Sequence, residues 1–276
     1  MRYNICIIQP KDYVHTQAYT ELAEAIKFSL IDLGFEATLQ YRQMEKNAVN
    51  ILIGCHLLEL EYIPKIPKET IILNTEQIYN TDIKWNSTIF EWVKHFRVWD
   101  YSERNILKLN ELGIRNVGLL KLGFQKELIK ISNSSLRDID VLFYGWINPR
   151  RAVIIDQLKS RGLVVRTLWG IYGEERDALI ARSKLVLNHH FHDSEIFEVV
   201  RVFYLMINSI AVVSEINPTT SIDKIYIDGV SGVPYNQLAN ECVQLVQSPS
   251  RLEELRHLAF KTISRFPQSE FTKAIL

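Results

Sequence analysis

The sequence predicts an α/β protein made of two doubly wound parallel sheets in succession. Short apolar runs such as "NILIG", "TIILN" and "KLVLNHH" read as strands buried on both faces, which is how strands of a parallel sheet look. Segments with helical spacing separate these runs, as crossovers between parallel strands require. The alternation lapses once, at "KELIKISNSSLRD", and then resumes, which divides the chain into two series.

In the first series, "YNICIIQP" is a β-rich run stopped by a proline. Thr16 to Leu33 has the spacing of an amphipathic helix, with Gly34 placed to end it. "FEATLQY" alternates like a strand, and "NILIG", "TIILN" and "FRVWD" follow as buried strands. Ser102 can cap the helix "ERNILKLNEL", which stops at Gly113 before the strand "RNVGLLKL". These elements make an N-terminal Rossmann-like domain of residues 1–125, and the stretch 126–138 with its "SNSS" cluster is the linker. The second series, residues 139–265, opens with the strand "DIDVLFYG" and the helix "PRRAVIIDQLKSRG", which has proline in its first turn and glycine at its end. "LVVRTLW", "ERDALIARS" and "KLVLNHH" give strand, helix, strand. A helix from Glu195, the strand "SIAVVSE" and helices from Asn236 onward complete it, while "YIDGVSGVPY" supplies turns. The tail, residues 266–276, is expected to return to the first domain.

Of 276 residues, 47% are hydrophobic, enough for a sizeable core in each domain. Lys plus Arg and Asp plus Glu balance at 32 each, which argues against a non-specific nucleic-acid binder, since that task needs surplus positive charge. Cys6, Cys55 and Cys242 lie far apart in apolar runs and read as small buried hydrophobes in a reducing compartment. The opening "MRYNICIIQP" lacks the apolar region of a signal peptide, and no stretch approaches the ~20 apolar residues of a membrane span, so the expected location is cytoplasmic.

Two such sheets in tandem bind a ligand at the carboxyl ends of their strands, in the cleft between them. The polar motifs of the chain fall at such ends. The segment "NHHFHDSEIFEVVRVF" brings three histidines to the front of a helix that is apolar all round, which marks it as buried. Ser194 or Asp193 can cap that helix. Glu198 and Arg201 on it need partners; a pair between them at helical spacing is one reading, and a carboxylate offered to ribose hydroxyls is the other. His190 and His192 share a face in extended chain, which admits a metal, but no second ligand cluster appears, so His190 is read as contacting a sugar or phosphate. Arg150 and Arg151 follow "FYGWINP" as a basic clamp for a leaving phosphate, or as a solvated pair set unfavourably at a helix start. In "TLWGIYGEERD", Trp169 and Tyr172 sit beside glycines and can stack on a ring, or serve as core aromatics. In the first series, Glu76 and Gln77 end the strand "TIILN" and His15 follows the first strand; Glu76 is the preferred acid or base for an acceptor.

"VWDYSERNILKLNELGIRNVGLLKLGF", "DVLFYGWINPRR" and "ARSKLVLNHHFHDSEIFEVVRVFYLMINSIAVVSE" occur in an order that resembles GT-B glycosyltransferases, particularly the retaining, glycogen-synthase-like and family-4-like group. The resemblance covers roughly residues 97 to 265. It implies two Rossmann-like domains facing across a cleft, a nucleotide-sugar donor as co-substrate with no further cofactor and no metal, a hydroxyl acceptor on a glycan or other molecule, and retention of configuration. It also implies roles: Gly145 and the following basic residues at the nucleotide, Trp169 and Tyr172 in a shortened base-binding loop, and helix-end amides at Ser194 and Glu195 with Arg150 or Arg151 at the diphosphate. Glu198, with Arg201 beside it, falls to the ribose. Two departures stand out. The family helix carries two glutamates eight positions apart; aligned on "AVVSE", the first falls near Ile196, flanked by Glu195 and Glu198, and the second on Tyr204. "QPKDYVHTQ" replaces the glycine-rich loop after the first strand. These departures keep a second reading open: a catalytically inactive two-domain protein that binds nucleotide or glycan.

Overall fold

Ile5, Cys6, Ile51, Leu52, Ile53 and Ile72, the centres of the first apolar runs, are almost wholly inaccessible to solvent, as expected for strands covered on both faces. The computed structural model describes residues 1–78, 84–132, 134–192 and 195–276. They divide into two units, Met1–Gln125 with Pro267–Leu276, and Lys126–Phe266.

The sheet of the first unit contains β1 (Arg2–Ile7), β2 (Glu36–Tyr41), β3 (Val49–Ile53), β4 (Ile71–Asn74), β5 (Arg97–Asp100) and β6 (Val117–Leu119). Its order is β2-β1-β3-β4-β5-β6, with parallel pairing throughout. The helices are α1 (Thr20–Asp32), α2 (Lys84–Val93) and α3 (Glu103–Glu111). Ser102 caps α3 by accepting from the Asn105 amide. The helix expected from Thr16 is instead a 3₁₀ segment, Val14–Tyr19, followed by α1, which ends where Gly34 takes φ +84°. α2 has no counterpart in the sequence reading.

The second unit holds β7 (Ile139–Tyr144), β8 (Val165–Leu168), β9 (Ser183–Asn188), β10 (Val212–Glu215) and β11 (Ser231–Val233) in the parallel order β11-β10-β9-β7-β8. Its helices are α4 (Pro149–Ser160), α5 (Gly173–Ala181), α6 (Val199–Ile207), α7 (Leu238–Val246) and α8 (Pro249–Ile263). β11 lies in the segment read as turns. Residues 126–138 belong with this unit: Leu128 is fully buried, and Asn208 on the end of α6 accepts from the Lys130 and Ile131 amides. The largest local correction is the start of α6, four residues later than Glu195. Glu195 has φ +48°, and Ile196 and Phe197 are buried and tied as extended chain to Ser221. Packing of these two side chains outweighs continuation of the helix.

The C-terminal helix α9 (Gln268–Ile275) packs on α1 of the first unit, where Thr272 meets Ser29 at 2.7 Å between buried hydroxyls. Among the described residues, no helix is long and apolar enough to cross a membrane.

Candidate functional site

In each sheet the strand order reverses once, between β1 and β3 and between β7 and β9. Ligands of open α/β sheets bind beyond the carboxyl ends of the strands at such points, and Gly145, Arg151, His189 and His190 follow the two strands that flank the second reversal.

In the second unit β7 runs into Gly145, Asn148 caps α4 by accepting from the Arg151 amide, and Arg150 and Arg151 occupy the first turn. The two arginines point to different partners. Arg150 makes a bidentate pair with the fully buried Glu215 at the end of β10, with Nη1 donating to Oε2 at 2.7 Å. Its guanidinium lies 3.9 Å from the Tyr235 ring centroid. Arg150 is thus paired with a buried acid while its own side chain stays 30% exposed.

Arg151 turns to the reversal point. It donates to the carbonyls of Trp146 (3.0 Å) and His189 (2.6 Å), and its Nη2 is 3.4 Å from Glu198 Oε1. Burial, then the charge of Arg201, lowers its pKa to about 10, so it remains a cation at neutral pH. Arg201, from the first turn of α6, donates to Asn188 Oδ1 at 2.7 Å and lies over the rings of Phe143 and Tyr144. Both guanidiniums crowd Gly145, whose φ is +134°; a Cβ there would lie 3.0 Å from Arg201 Nη2 and 3.6 Å from Arg151 Nη1. Only glycine fits this combination of backbone and close approach.

Among the described residues, Glu198 is the carboxylate in direct contact with this cationic cluster. Glu198, half-buried just ahead of α6, receives Asn188 Nδ2 at 3.2 Å on Oε2, which is also 3.4 Å from His190 Nδ1. Burial pushes its pKa up, but His190, Arg201 and Arg151 together outweigh that and hold it at about 2. The simple Glu198–Arg201 pair does not form; Arg151 and His190 take the acid instead. His190, almost fully buried, also places Nε2 at 3.1 Å from Thr220 Oγ1, and Glu198 raises its pKa against the effect of burial. His189 is wholly buried, and neither ring nitrogen has a hydrogen-bond partner among the described residues. Burial, then Arg151, lowers its pKa to about 3, so it is neutral.

The remaining expected contacts are spread more widely. Trp169 packs edge-to-face on Trp146, centroids 4.9 Å apart, with each ring more than half exposed. Tyr172 stands half-buried at the N-cap of α5. Glu195 accepts from Asn217 and Thr219 and precedes the helix by four residues, so its amide is not the helix-end amide expected from the sequence. Ser194 and Asp193 lie outside the described residues. Tyr204, aligned above with the second acid of the resemblance, donates to Asp177 Oδ2 at 2.6 Å.

In the first unit, Glu76 follows β4. It accepts from the Tyr19 hydroxyl at 3.0 Å and lies 3.7 Å from His56 Nε2. Asn74 and Asn105 both donate to its carbonyl, and both also donate to Asp100. Asn105 Oδ1 also receives the Ile78 amide. His15 packs edge-on against Tyr13. The sequence reading missed His56, Tyr19, Asp100, Asn188, Trp146 and Glu215. Glu215 gave the clearest signal, as an acid closing the apolar strand "SIAVVSE".

Two doubly wound parallel sheets in succession match the GT-B fold of solved glycosyltransferase structures. Anabaena Alr3699/HepE in complex with UDP and glucose superposes with a TM-score of 0.64 at 11% identity, covering 98% of this chain and 97% of that one. Sucrose-phosphate synthase from Thermosynechococcus elongatus gives 0.61 at 10% identity (99% and 97%), and T4 phage BGT in complex with its UDP-glucose substrate gives 0.58 at 11% (99% and 98%). In sequence, the chain is 27% identical over 252 residues to "Uncharacterized protein L140" of Acanthamoeba polyphaga mimivirus, covering 87% of this chain and 82% of the relative. It is 31% identical over 175 residues to L137 of the same virus, 60% of this chain but 23% of that one. No family model matches.

Proposed function

We propose that the protein is a glycosyltransferase that takes a sugar from a nucleotide-sugar donor to a hydroxyl acceptor on a glycan or other molecule. One observation carries this reading: the guanidiniums of Arg151 and Arg201 converge on the bare backbone of Gly145 at the strand reversal of the second sheet. When the bond from the anomeric carbon to the diphosphate oxygen breaks, negative charge grows on the leaving phosphate. Cations already fixed there stabilise it without reorganisation. Arg151 and Arg201 take this role in place of Arg150, which instead holds the strand ends together through Glu215. The solved structures with UDP or UDP-glucose favour a nucleoside diphosphate. Trp169 with Trp146 offers an exposed aromatic surface for the base, Glu76 is the proposed group at the acceptor hydroxyl, and retention without a metal is the expected course.

The test is a panel of nucleotide sugars assayed for transfer and slow hydrolysis, with calorimetry against UDP. Arg201→Met is expected to cut turnover by roughly a hundredfold. Absence of nucleoside-diphosphate binding in the wild type, or full turnover in Arg201→Met, overturns the reading. Tyr204, bonded to Asp177 and aligned with the second acid of the resemblance, favours the alternative of a nucleotide- or glycan-binding protein without turnover. UDP binding with no transfer from any donor would select it.

A further inference from the structure

Two arginine–glutamate pairs built on adjacent residues of α4 differ in quality. Glu215 receives the bidentate Arg150, the His190 amide at 3.0 Å and Asn217 Nδ2 at 2.7 Å, and it is fully buried. Every acceptor direction there is filled. Glu198 is held differently. Its contacts to Arg151, Asn188 and His190 are 3.4, 3.2 and 3.4 Å, all longer than the ~2.7–2.9 Å of a charge-assisted hydrogen bond. Meanwhile Nε of Arg151, Nε of Arg201 and both ring nitrogens of His189 are buried with no hydrogen-bond partner among the described residues. Among the described residues, Glu198 is the carboxylate paired with Arg151 while Arg201 acts on it without a direct pair, and these buried polar groups stand unanswered, which is costly unless a ligand completes them.

We infer that Glu198 is the resident anion of this site: its carboxylate occupies the position between Arg151 and His190 that a phosphate group of the ligand takes over on binding. The inference rests on reading the site as the donor's diphosphate site. A phosphate group brings more acceptor oxygens and more charge than a carboxylate, so it can engage Arg151 and Arg201 together. Glu198 offsets the mutual repulsion of the cations and orders them beforehand. This role is opposite in sign to gripping a ribose. A ribose ligand strengthens nucleotide binding and does nothing for a bare phosphate chain, whereas a resident anion competes with both.

The experiment is calorimetric titration of the full chain, wild type and Glu198→Gln, with inorganic pyrophosphate and separately with UDP, alongside thermal melting. Pyrophosphate is expected to bind Glu198→Gln about tenfold more tightly than wild type, from removal of one nearby negative charge, and UDP is expected to tighten as well. Should the glutamine variant fail to fold, Glu198→Asp draws the carboxylate back by one methylene and is expected to tighten pyrophosphate several-fold. Weakened UDP with unchanged pyrophosphate makes Glu198 a ribose ligand and overturns the inference, as does unchanged or weakened binding of both. If wild type binds UDP but the variants hold pyrophosphate no better, only the resident-anion role falls. If neither protein binds either compound, the donor-site reading falls with it.

Discussion

Asp100 and His189 are two buried titratable groups with opposite displacements. Asp100 ends β5 facing donors: Asn74 Nδ2 at 2.7 Å, the Ser102 amide at 2.8 Å and Asn105 Nδ2 at 3.0 Å. Burial nevertheless pushes its pKa up to about 7 against their lowering effect. A carboxyl raised above its unfolded value of ~3.9 binds an extra proton in the folded state between those limits. Its contribution to stability is therefore complete below pH ~4 and lost as pH rises through 7. Asp100→Asn replaces the single hydroxyl donor of a carboxyl that is protonated at pH 5 with an amide carrying two N–H donors among other donors, and should cost about 1–3 kcal/mol there. That deficit should shrink as pH rises toward 8, because the variant has no proton to lose. Urea denaturation at several pH values reads this, and a constant deficit would contradict it. His189 titrates the other way. Its pKa, lowered to about 3, makes its contribution present above pH ~6.5 and lost as pH falls toward 3. His189→Phe, which can keep the edge-to-face contact with Phe143, should flatten the acid limb of stability in that window. Equal slopes for wild type and variant between pH 6 and 4 would refute the assignment.

At the scale of elements, α6 decides what the site can be. It is buried along its length, and Tyr204 ties it to α5, where Arg176 donates to Asp177 at 2.8 Å and its guanidinium lies 5.0 Å from the Tyr204 ring centroid. Tyr204→Phe should cost about 1 kcal/mol, since Asp177 keeps Arg176. Tyr204→Glu, which puts a carboxylate at this buried position, should cost more because it sets a second carboxylate against Asp177. Thermal melts of both variants give the ranking, and a glutamate variant as stable as wild type would show that the tyrosine is not structural. Most strands and the cap at Ser102 could be read from local sequence, because apolar runs and capping side chains act within a few residues. The late start of α6 could not be, because Glu195 takes φ +48° only when Ile196 and Phe197 are pinned to Ser221. Nor could the division of labour between Arg150 and Arg151. Glu215 lies 65 positions from Arg150, and two adjacent basic residues look alike until the fold gives one of them a buried acid. β11 spans three residues around Gly232 and carries too little pattern to separate a strand from a turn.

At the scale of the whole molecule, the two units differ in how the chain supplies them. Lys126–Phe266 is continuous, whereas the first unit is completed by Pro267–Leu276. That closing segment is well anchored. Gln268, fully buried, accepts from the Gly123 amide at 2.7 Å and donates to the Lys121 carbonyl at 3.1 Å. Thr272 meets Ser29, and Ile275 packs so close to Gly118 that a Cβ there would lie 2.9 Å from it. Ending the chain at residue 266 would strip partners from buried Ser29 and Gly123 and uncover apolar surface on α1 and β6. The expected loss is on the order of 3–5 kcal/mol, confined to the first unit. Scanning calorimetry of the full chain and of the shortened chain, each with and without UDP, separates the two. UDP stabilises the unit that binds it by mass action, so it should raise the transition of the second unit in both proteins, while the first unit melts earlier in the shortened chain with or without nucleotide. A fragment of residues 126–266 should accordingly fold and bind UDP within a few-fold of the full chain, since its sheet, its helices and the Arg151–Arg201–Gly145 cluster all lie inside it. If the shortened chain instead loses both transitions together, the units depend on each other for stability and the C-terminal helix serves the molecule as a whole.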